Sequence, residues 1–283
     1  TPHQVARLRS VTSAEVSPDG RHVAYTLSIP REPGVDEDGG SWTELHVLDV
    51  ATGRRRPFIT GEVSVRSVSW TPDGEGIAFL SKRDGDEHTS LYVIPVDGGE
   101  ARRAASLKSS IGGYSFSPDG EQVALVADAP KDEAVEKKKK KGFKQEIYEE
   151  DVPYTHVWIA TTYAEEPAPR TLLLEGSVYT VRWSPVDARL AVSLAPTPLV
   201  DDSYMRQRVR VVDSADGTVL AKIENPGKMG AFAWSPDGQR IAMVSAADIN
   251  DPAAGRILVA DAATGRFEIR LANYPGHAAE LAW

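Results

Sequence analysis

One four-residue phrase recurs along the chain and constrains its fold more than any other feature. Ser-Pro-Asp-Gly stands at residues 17–20, 117–120 and 235–238, Thr-Pro-Asp-Gly at 71–74, and a degenerate copy, Ser-Pro-Val-Asp, at 184–187. The first residues of successive copies are 54, 46, 67 and 51 positions apart. Repeats with a period of roughly 20 to 50 residues are typical of solenoids, propellers and arrays.

Each copy of the phrase predicts a tight turn between two strands. Proline presets φ at the second turn position, aspartate is tolerated at the third, and glycine adopts a positive φ at the fourth. A short apolar run follows each copy, which is typical of a β-hairpin. A large apolar residue precedes it, and we expect the aromatic ones to pack in the core between repeats rather than against a ligand. These preceding residues are Val16, Trp70, Phe116, Trp183 and Trp234.

Four predicted strands accompany each copy of the phrase, joined as consecutive hairpins, and such a unit is one blade of a β-propeller. The sequence therefore predicts an all-β fold, an incomplete β-propeller of five four-stranded blades plus the first strand of a sixth. We place the blades at about residues 11–61, 62–106, 107–176, 177–225 and 226–273, and the extra strand within 274–283, at residues 279–283.

Helices have a small part in this prediction. Apart from a short leading helix over residues 3–10, no segment shows the period of an amphipathic helix of ten or more residues, which argues against a βαβ fold. The polar segment 130–151 is predicted to be a solvated surface loop, and the proline-rich segment 195–204 to be extended.

Composition excludes several classes of function. The formal net charge is −9, which argues against a dedicated nucleic-acid surface. Acidic residues flank the lysine run 137–141 on both sides, so we assign it to solvent rather than to nucleic acid or anionic lipid. The chain has no cysteine, which excludes disulfides and thiolate metal sites and fits a reducing, cytoplasmic location. No run of about 18 apolar residues predicts a membrane span.

A search for catalytic motifs finds none. The sequence has no Gly-x-Ser-x-Gly, no phosphate-binding glycine loop and no His-Glu-x-x-His. Its six histidines are isolated, and the acidic cluster 36–38 lacks the ordered spacing of a calcium loop. We therefore predict no catalytic residue, no metal and no cofactor, and we assign no substrate-binding residue. The charged residues of the presumed inner strands are too scattered for an active site in a central channel: Glu15, Arg66, Arg182 and Glu280.

Two stretches resemble a known family. Residues 8–25 look like the opening of serine peptidases of the prolyl oligopeptidase family. Residues 91–103, which read Leu-Tyr-Val-Ile-Pro-Val-Asp-Gly-Gly-Glu-Ala-Arg-Arg, resemble the second blade of its acylaminoacyl-peptidase and dipeptidyl-peptidase-like branches. The resemblance extends to the whole chain in blade organisation and is strongest over residues 8–120. The turn motifs alone are shared with other propellers, including the TolB type.

This resemblance implies a parent protein of two domains. An N-terminal propeller would cap a C-terminal α/β-hydrolase domain with a Ser-Asp-His triad and restrict entry to short peptides. No triad residue matches a position of this sequence, so the parent is expected to be a serine peptidase while this chain alone is not expected to be catalytic. The alternative is a stand-alone TolB-like propeller that serves as a scaffold for protein–protein binding.

An incomplete propeller predicts self-association. Closure of the ring normally covers the first and last blades, and an open ring leaves strand edges unpaired. We therefore expect the chain to self-associate through these edges, or the edges to be paired with a complementary part of the propeller. Light scattering at high concentration measures this, and a clean monomer would contradict it.

Overall fold

Within the residues that the computed structural model describes, the chain forms five separate antiparallel sheets of four strands each. The described residues are 1–83, 85–129, 133–145, 147, 149–150, 152–166, 168–250, 255–272 and 275–283. In every sheet the strands lie side by side in chain order. This is the predicted all-β propeller architecture, in which each sheet is one blade.

The first two blades lie in one compact unit, residues 1–111 and 162–167. It begins with the helix α1 (Pro2–Ala6), shorter than the predicted leading helix. Blade 1 consists of β1 (Ser10–Val16), β2 (His22–Ile29), β3 (Trp42–Asp49) and β4 (Arg55–Ile59). Blade 2 consists of β5 (Arg66–Trp70), β6 (Gly76–Ser81), β7 (Ser90–Pro95) and β8 (Arg102–Ala105).

The other three blades belong to a second unit, residues 112–161 and 168–283. Blade 3 is β9 (Ile111–Phe116, whose first residue belongs to the first unit), β10 (Gln122–Asp128), β11 (Thr155–Thr161) and β12 (Arg170–Leu172), with the helix α2 (Glu133–Lys140) between β10 and β11. Blade 4 is β13 (Ser177–Trp183), β14 (Arg189–Ala195), β15 (Arg208–Asp213) and β16 (Val219–Ile223), with the helix α3 (Val200–Met205) between β14 and β15. Blade 5 is β17 (Met229–Trp234), β18 (Arg240–Ser245), β19 (Arg256–Asp261) and β20 (Phe267–Arg270).

The hydrophobic core lies between neighbouring blades of the same unit. Alternate residues of β3 in blade 1, Leu45 and Val47, are buried in one cluster with Ile77 and Phe79 of blade 2. In the second unit one cluster joins blades 3 and 4, and another joins blades 4 and 5. Because side chains alternate across a strand, blade 4 contributes one face to each of these two clusters.

A serine or threonine hydroxyl organises each intact turn, and the three serines are buried. The Ser117 Oγ donates a hydrogen bond to the Asp119 carboxylate at 2.5 Å and accepts one from the Gln122 backbone N–H at 2.9 Å. The same pair of bonds forms at Ser17, Thr71 and Ser235. The hydroxyl bond and a backbone N–H lower the pKa of Asp119 below its ordinary value. The turn glycines adopt φ between +66° and +73°, as predicted: Gly20, Gly74, Gly120 and Gly238.

The structure corrects two predicted loops. Residues 195–204 are not extended, because β14 runs to Ala195 and α3 follows at Val200–Met205. Asp201 and Asp202 lie in the first turn of α3, where carboxylates favour the positive end of the helix dipole. The segment 130–151 contains α2 rather than a continuous loop, since alanine, glutamate and lysine are strong helix formers. Parts of this segment, residues 130–132, 146, 148 and 151, lie outside the described residues.

The predicted first strand of a sixth blade, at residues 279–283, is wrong as a strand. Described residues 275–283 carry no strand assignment. A strand exists only through a ladder of hydrogen bonds with a neighbour, and no described strand forms a ladder with residues 279–283. Residues 273 and 274 lie outside the described part of the chain. None of the helices in the described residues is both long and apolar enough to cross a bilayer.

Two turn glycines provide a matched test of how the turns pack. A Cβ on Gly238 would lie 2.4 Å from Val186 Cγ2 and 3.1 Å from Ser184 Oγ, whereas one on Gly20 would meet nothing within 4 Å. Both substitutions to alanine incur the cost of positive φ, about 1 kcal/mol. Gly238→Ala must also displace Val186, so we expect it to lower the free energy of unfolding by about 1 kcal/mol or more beyond Gly20→Ala.

Urea denaturation of the two variants and the unsubstituted protein measures this difference. Equal losses for Gly20→Ala and Gly238→Ala would contradict the close packing of the blade 5 turn on the blade 4 turn.

Candidate functional site

The charged inner-strand residues considered for a channel site do not form one within either unit. In the first unit, Arg66 is exposed at the start of β5 and donates to the Thr89 hydroxyl at 3.4 Å, and Glu15 is exposed in β1. In the second unit, Arg182 is exposed near the end of β13, and Glu280 is exposed in the segment without strand structure. Their positions give no convergent acid or base.

The histidines in strands have structural surroundings. His46 Nε2 lies 2.9 Å from Glu44 Oε2, and the His46 ring stacks on Tyr25 with centroids 5.4 Å apart. Burial works against ionisation of Glu44, but bonds from the Gly61 N–H and His46 lower its pKa overall. Burial also lowers the pKa of His156, whose Nδ1 is buried with no hydrogen-bond partner among the described residues.

The acidic cluster 36–38 folds around a cation of its own chain. Arg31 donates to the Gly40 carbonyl at 2.8 Å and to the Glu37 carbonyl at 3.0 Å, and its guanidinium lies 4.5 Å from the centre of the Trp42 ring. Nowhere in the described part of the chain do three or more His, Cys, Asp or Glu side chains come together in a way that could hold a metal ion.

Trp183 and Trp234 pack in the core between neighbouring blades, as predicted. The Trp183 indole N–H is bound within its own blade, to the Asp187 carbonyl at 3.0 Å, whereas other turn tryptophans bond to the preceding blade. Within the first unit, Trp70 of blade 2 donates its indole N–H to the Glu15 carbonyl of blade 1 at 3.0 Å. Within the second unit, Trp234 of blade 5 donates to the Arg182 carbonyl of blade 4 at 3.0 Å. Trp283 makes the equivalent bond to the Ala233 carbonyl at 3.1 Å. Trp283 thus takes the position of the next turn tryptophan although its segment is not a strand.

A side chain from the preceding blade covers each of these rings. The residue five positions after the start of the turn supplies it: Arg189 lies 5.3 Å from the Trp234 ring centre, and Arg240 lies 5.3 Å from that of Trp283. The His22 ring occupies the same position 6.3 Å from Trp70. A cation over an aromatic face is attractive, so the two arginine contacts reinforce the indole hydrogen bonds of Trp234 and Trp283.

A cavity of about 500 Å³ in the second unit is the best candidate for ligand binding, and we call it the basic cavity. Strands β15 and β16 of blade 4 supply half of its charged lining residues, and Arg206 follows the C-terminal end of α3. Its cations are Arg206, Arg208, Arg210 and Lys222, its carboxylates are Glu175 and Glu224, and its apolar lining is Leu174, Leu194, Pro196, Val219 and Ile249.

Two guanidinium groups of the basic cavity share one carboxylate. The Arg210 guanidinium lies 2.9 Å from the Glu224 carboxylate, and the Arg208 guanidinium lies 3.9 Å from the same carboxylate. The Arg210 and Arg208 side chains are 17% and 19% exposed, whereas Glu224 is 60% exposed. Burial lowers the pKa of Arg208, and Glu224 opposes that effect. Arg206 is paired with Asp202 of α3 at 3.2 Å. The guanidinium groups are therefore fixed in position at the wall of a partly apolar cavity, where they could bind an anion through charge-assisted hydrogen bonds.

This cavity was not predicted from the sequence, although the spacing of its arginines is visible there. Arginine occupies every second position from 206 to 210, and in a strand such residues lie on one face. The predicted blade at about residues 177–225 includes these arginines, but the register that places Lys222 opposite Arg210 is a tertiary feature.

Comparison with known families gives two matches. Residues 51–266, well over half of the chain, match the family described as the lipoprotein LpqB β-propeller domain. Residues 7–94 match the family described as the prolyl oligopeptidase N-terminal β-propeller domain. Over 85 residues, 30% of the chain, the sequence is 31% identical to the uncharacterized peptidase YuxL of Bacillus subtilis, and it spans 12% of that protein's length.

Solved propellers share the fold at low identity. The chain is similar to acylaminoacyl peptidase of Pyrococcus horikoshii, with a TM-score of 0.62 and 15% identity, over 95% of this chain and 40% of that one. It is also similar to a putative TolB of Agrobacterium tumefaciens, with a TM-score of 0.58 and 16% identity, over 93% of this chain and 80% of that one. At these identities the likeness concerns the fold alone.

The indole hydrogen bond between blades 4 and 5 has a testable energetic effect. Trp234→Phe retains an aromatic ring but leaves the Arg182 carbonyl without its donor, so we expect the free energy of unfolding to fall by about 1 kcal/mol or more. Trp42→Phe is the control, because the Trp42 indole N–H has no hydrogen bond among the described residues. Urea denaturation measures both, and an equal loss in the two variants would contradict a role for the inter-blade bond.

Proposed function

This chain belongs to the family of lipoprotein LpqB β-propeller domains, and we propose that it is the substrate-gating propeller of a serine peptidase acting on short peptides. The observation that carries the proposal is the match of residues 7–94 to the prolyl oligopeptidase propellers. The 31% identity to a protein named as a peptidase supports it.

In this proposal the propeller selects peptides by size, and a separate domain cleaves the peptide bond. Inter-blade indole bonds and buried cores give each unit a rigid wall, and a rigid wall beside an active site excludes bulky substrates. The nucleophilic serine, its histidine base and the orienting carboxylate would come from a C-terminal α/β-hydrolase domain. The proposed setting is cytoplasmic, with short peptides and the hydrolase domain as partners and with neither nucleic acid nor membrane.

Self-association through exposed blade edges belongs to the same proposal. All seven residues of β1 are exposed, including Val11 at 58% and Val16 at 63%. In blade 4 the corresponding strand β13 buries four of its seven residues. An exposed first strand with apolar side chains is a template for pairing with another chain, which supports association at this face of blade 1.

A second function, a scaffold for protein–protein binding, has its own support. The putative TolB is similar over 80% of its length, and the LpqB propeller match extends over residues 51–266. Propellers of this kind would bind a partner without an attached hydrolase.

A test on the intact natural protein separates the two functions. Its mass is determined, it is treated with a fluorophosphonate probe for active serines, and it is assayed on peptides of increasing length and on a folded protein. The peptidase proposal predicts a mass well above 30.7 kDa, labelling of one serine, and cleavage that is fast for short peptides and absent for the folded protein. Protein pretreated with the probe is the control.

A mass close to that of this chain, with no labelled serine and no peptide cleavage, would contradict the peptidase proposal and favour the scaffold. Cleavage of folded protein as fast as of short peptides would contradict gating while leaving a peptidase.

A further inference from the structure

We propose that the basic cavity of blade 4 binds a small monocarboxylate whose carboxylate adjoins an apolar group, such as the C-terminal end of a peptide that finishes in an aliphatic residue. The inference concerns binding by the propeller itself and does not depend on the peptidase activity proposed above.

The charge balance of the basic cavity favours one negative charge. Its lining holds four cationic side chains and two carboxylates, in a chain whose formal net charge is −9. Asp202 outside the lining neutralises Arg206, which leaves one positive charge in excess. A single carboxylate balances this excess, whereas a multiply charged anion would meet repulsion from Glu175 and Glu224.

The cations converge because of strand geometry. Arg208 and Arg210 lie on the same face of β15, and Lys222 of β16 is directly opposite Arg210 in the sheet register. Cross-strand neighbours have Cβ atoms about 5 Å apart, so two cationic groups can reach one carboxylate between them. Lys222 has no ion pair with any described residue and is exposed.

The two arginines are held in place without using all their donors. Arg208 donates through Nη1 to the Gln207 carbonyl at 2.7 Å and to the Met205 and Gly227 carbonyls at 3.4 Å each, and its Nε lies 3.9 Å from Glu224, beyond hydrogen-bond distance. Arg210 uses Nη2 for Glu224 at 2.9 Å and Nη1 for the Val209 carbonyl at 3.3 Å. A guanidinium has five N–H donors in a planar fork that suits a carboxylate. Glu224, 60% exposed, is the internal competitor that an incoming carboxylate would join or displace.

The apolar part of the lining selects what accompanies the carboxylate. Leu174 and Leu194 are each 8% exposed and line the cavity together with Pro196, Val219 and Ile249. An aliphatic group against these side chains would leave water, which is favourable, whereas a bare anion would gain nothing from them. The cavity therefore fits an amphipathic carboxylate better than an inorganic anion.

Calorimetric titration of the intact protein with four probes tests the proposal. N-acetyl-leucine has the carboxylate, the aliphatic group and a peptide bond; N-acetyl-leucinamide lacks the charge; 4-methylpentanoate lacks the peptide bond; sulfate lacks the aliphatic group. We expect the two carboxylates to bind and to weaken as salt is raised. Tighter binding of N-acetyl-leucine than of 4-methylpentanoate identifies a peptide terminus, and the reverse order identifies a non-peptide carboxylate.

Three variants locate the binding. Arg210→Gln should weaken the binding of N-acetyl-leucine by about tenfold or more, the usual effect of losing a hydrogen bond to a charged group. Glu224→Gln should tighten the binding of N-acetyl-leucine, because the competing carboxylate is removed. Arg256→Gln, which removes an equivalent charge at the exposed first residue of β19, is the matched control and should leave binding unchanged. If Arg210→Gln does not fold, the exposed Lys222→Gln replaces it and should weaken binding severalfold.

Several results would overturn the proposal. These are no heat of binding for either carboxylate, binding of N-acetyl-leucinamide or sulfate as tight as that of N-acetyl-leucine, and unchanged binding in Arg210→Gln and Lys222→Gln. Weaker binding in Glu224→Gln would show that this carboxylate helps to hold the probe and would equally contradict a site for anions.

Discussion

Each unit of this propeller depends on a hydrogen bond from the indole N–H of one blade to the backbone of the blade before it. In three cases the acceptor is the carbonyl one residue before the large apolar position that precedes the turn of the preceding blade, at Glu15, Arg182 and Ala233. Trp183 instead donates to the Asp187 carbonyl of its own blade. The inter-blade bond has nearly the same length each time, 3.0 or 3.1 Å, because both of its ends are fixed by the same local structure. The buried hydroxyl of the turn holds the hairpin, and the hairpin aims the tryptophan. Repetition of one local motif thereby becomes tertiary packing.

The same geometry explains where a ligand cavity can form. Blade faces that carry small and branched side chains pack without a cavity. Val209 and Val211 of β15, for example, are buried against blade 5. The opposite face of β15 carries Arg208 and Arg210, which cannot be buried without charged partners, and there the packing leaves a cavity. The rigid blades hold these guanidinium groups in place at low exposure, so the site is built before a ligand arrives.

Much of the fold follows from the sequence because its strongest signal is local. A turn of the Ser-Pro-Asp-Gly type with a large apolar residue before it and an apolar run after it specifies a hairpin through local interactions, and each of the five sheets contains one such hairpin. The helix α3 was not predicted because Pro196 and Pro198 indicated an extended chain. The two aspartates that favour the helix lie in its first turn, C-terminal to both prolines. The basic cavity depends on cross-strand register, which no local pattern carries.

Hydrogen exchange of the individual indole N–H groups, followed by NMR, tests this account most directly. Trp70 and Trp234 should exchange only as fast as their units unfold, since their N–H groups are bound to the neighbouring blade. Trp42, whose indole N–H has no hydrogen bond among the described residues, should exchange quickly and serves as the internal reference. Exchange of Trp70 and Trp234 as fast as that of Trp42 would contradict the claim that these bonds join the blades.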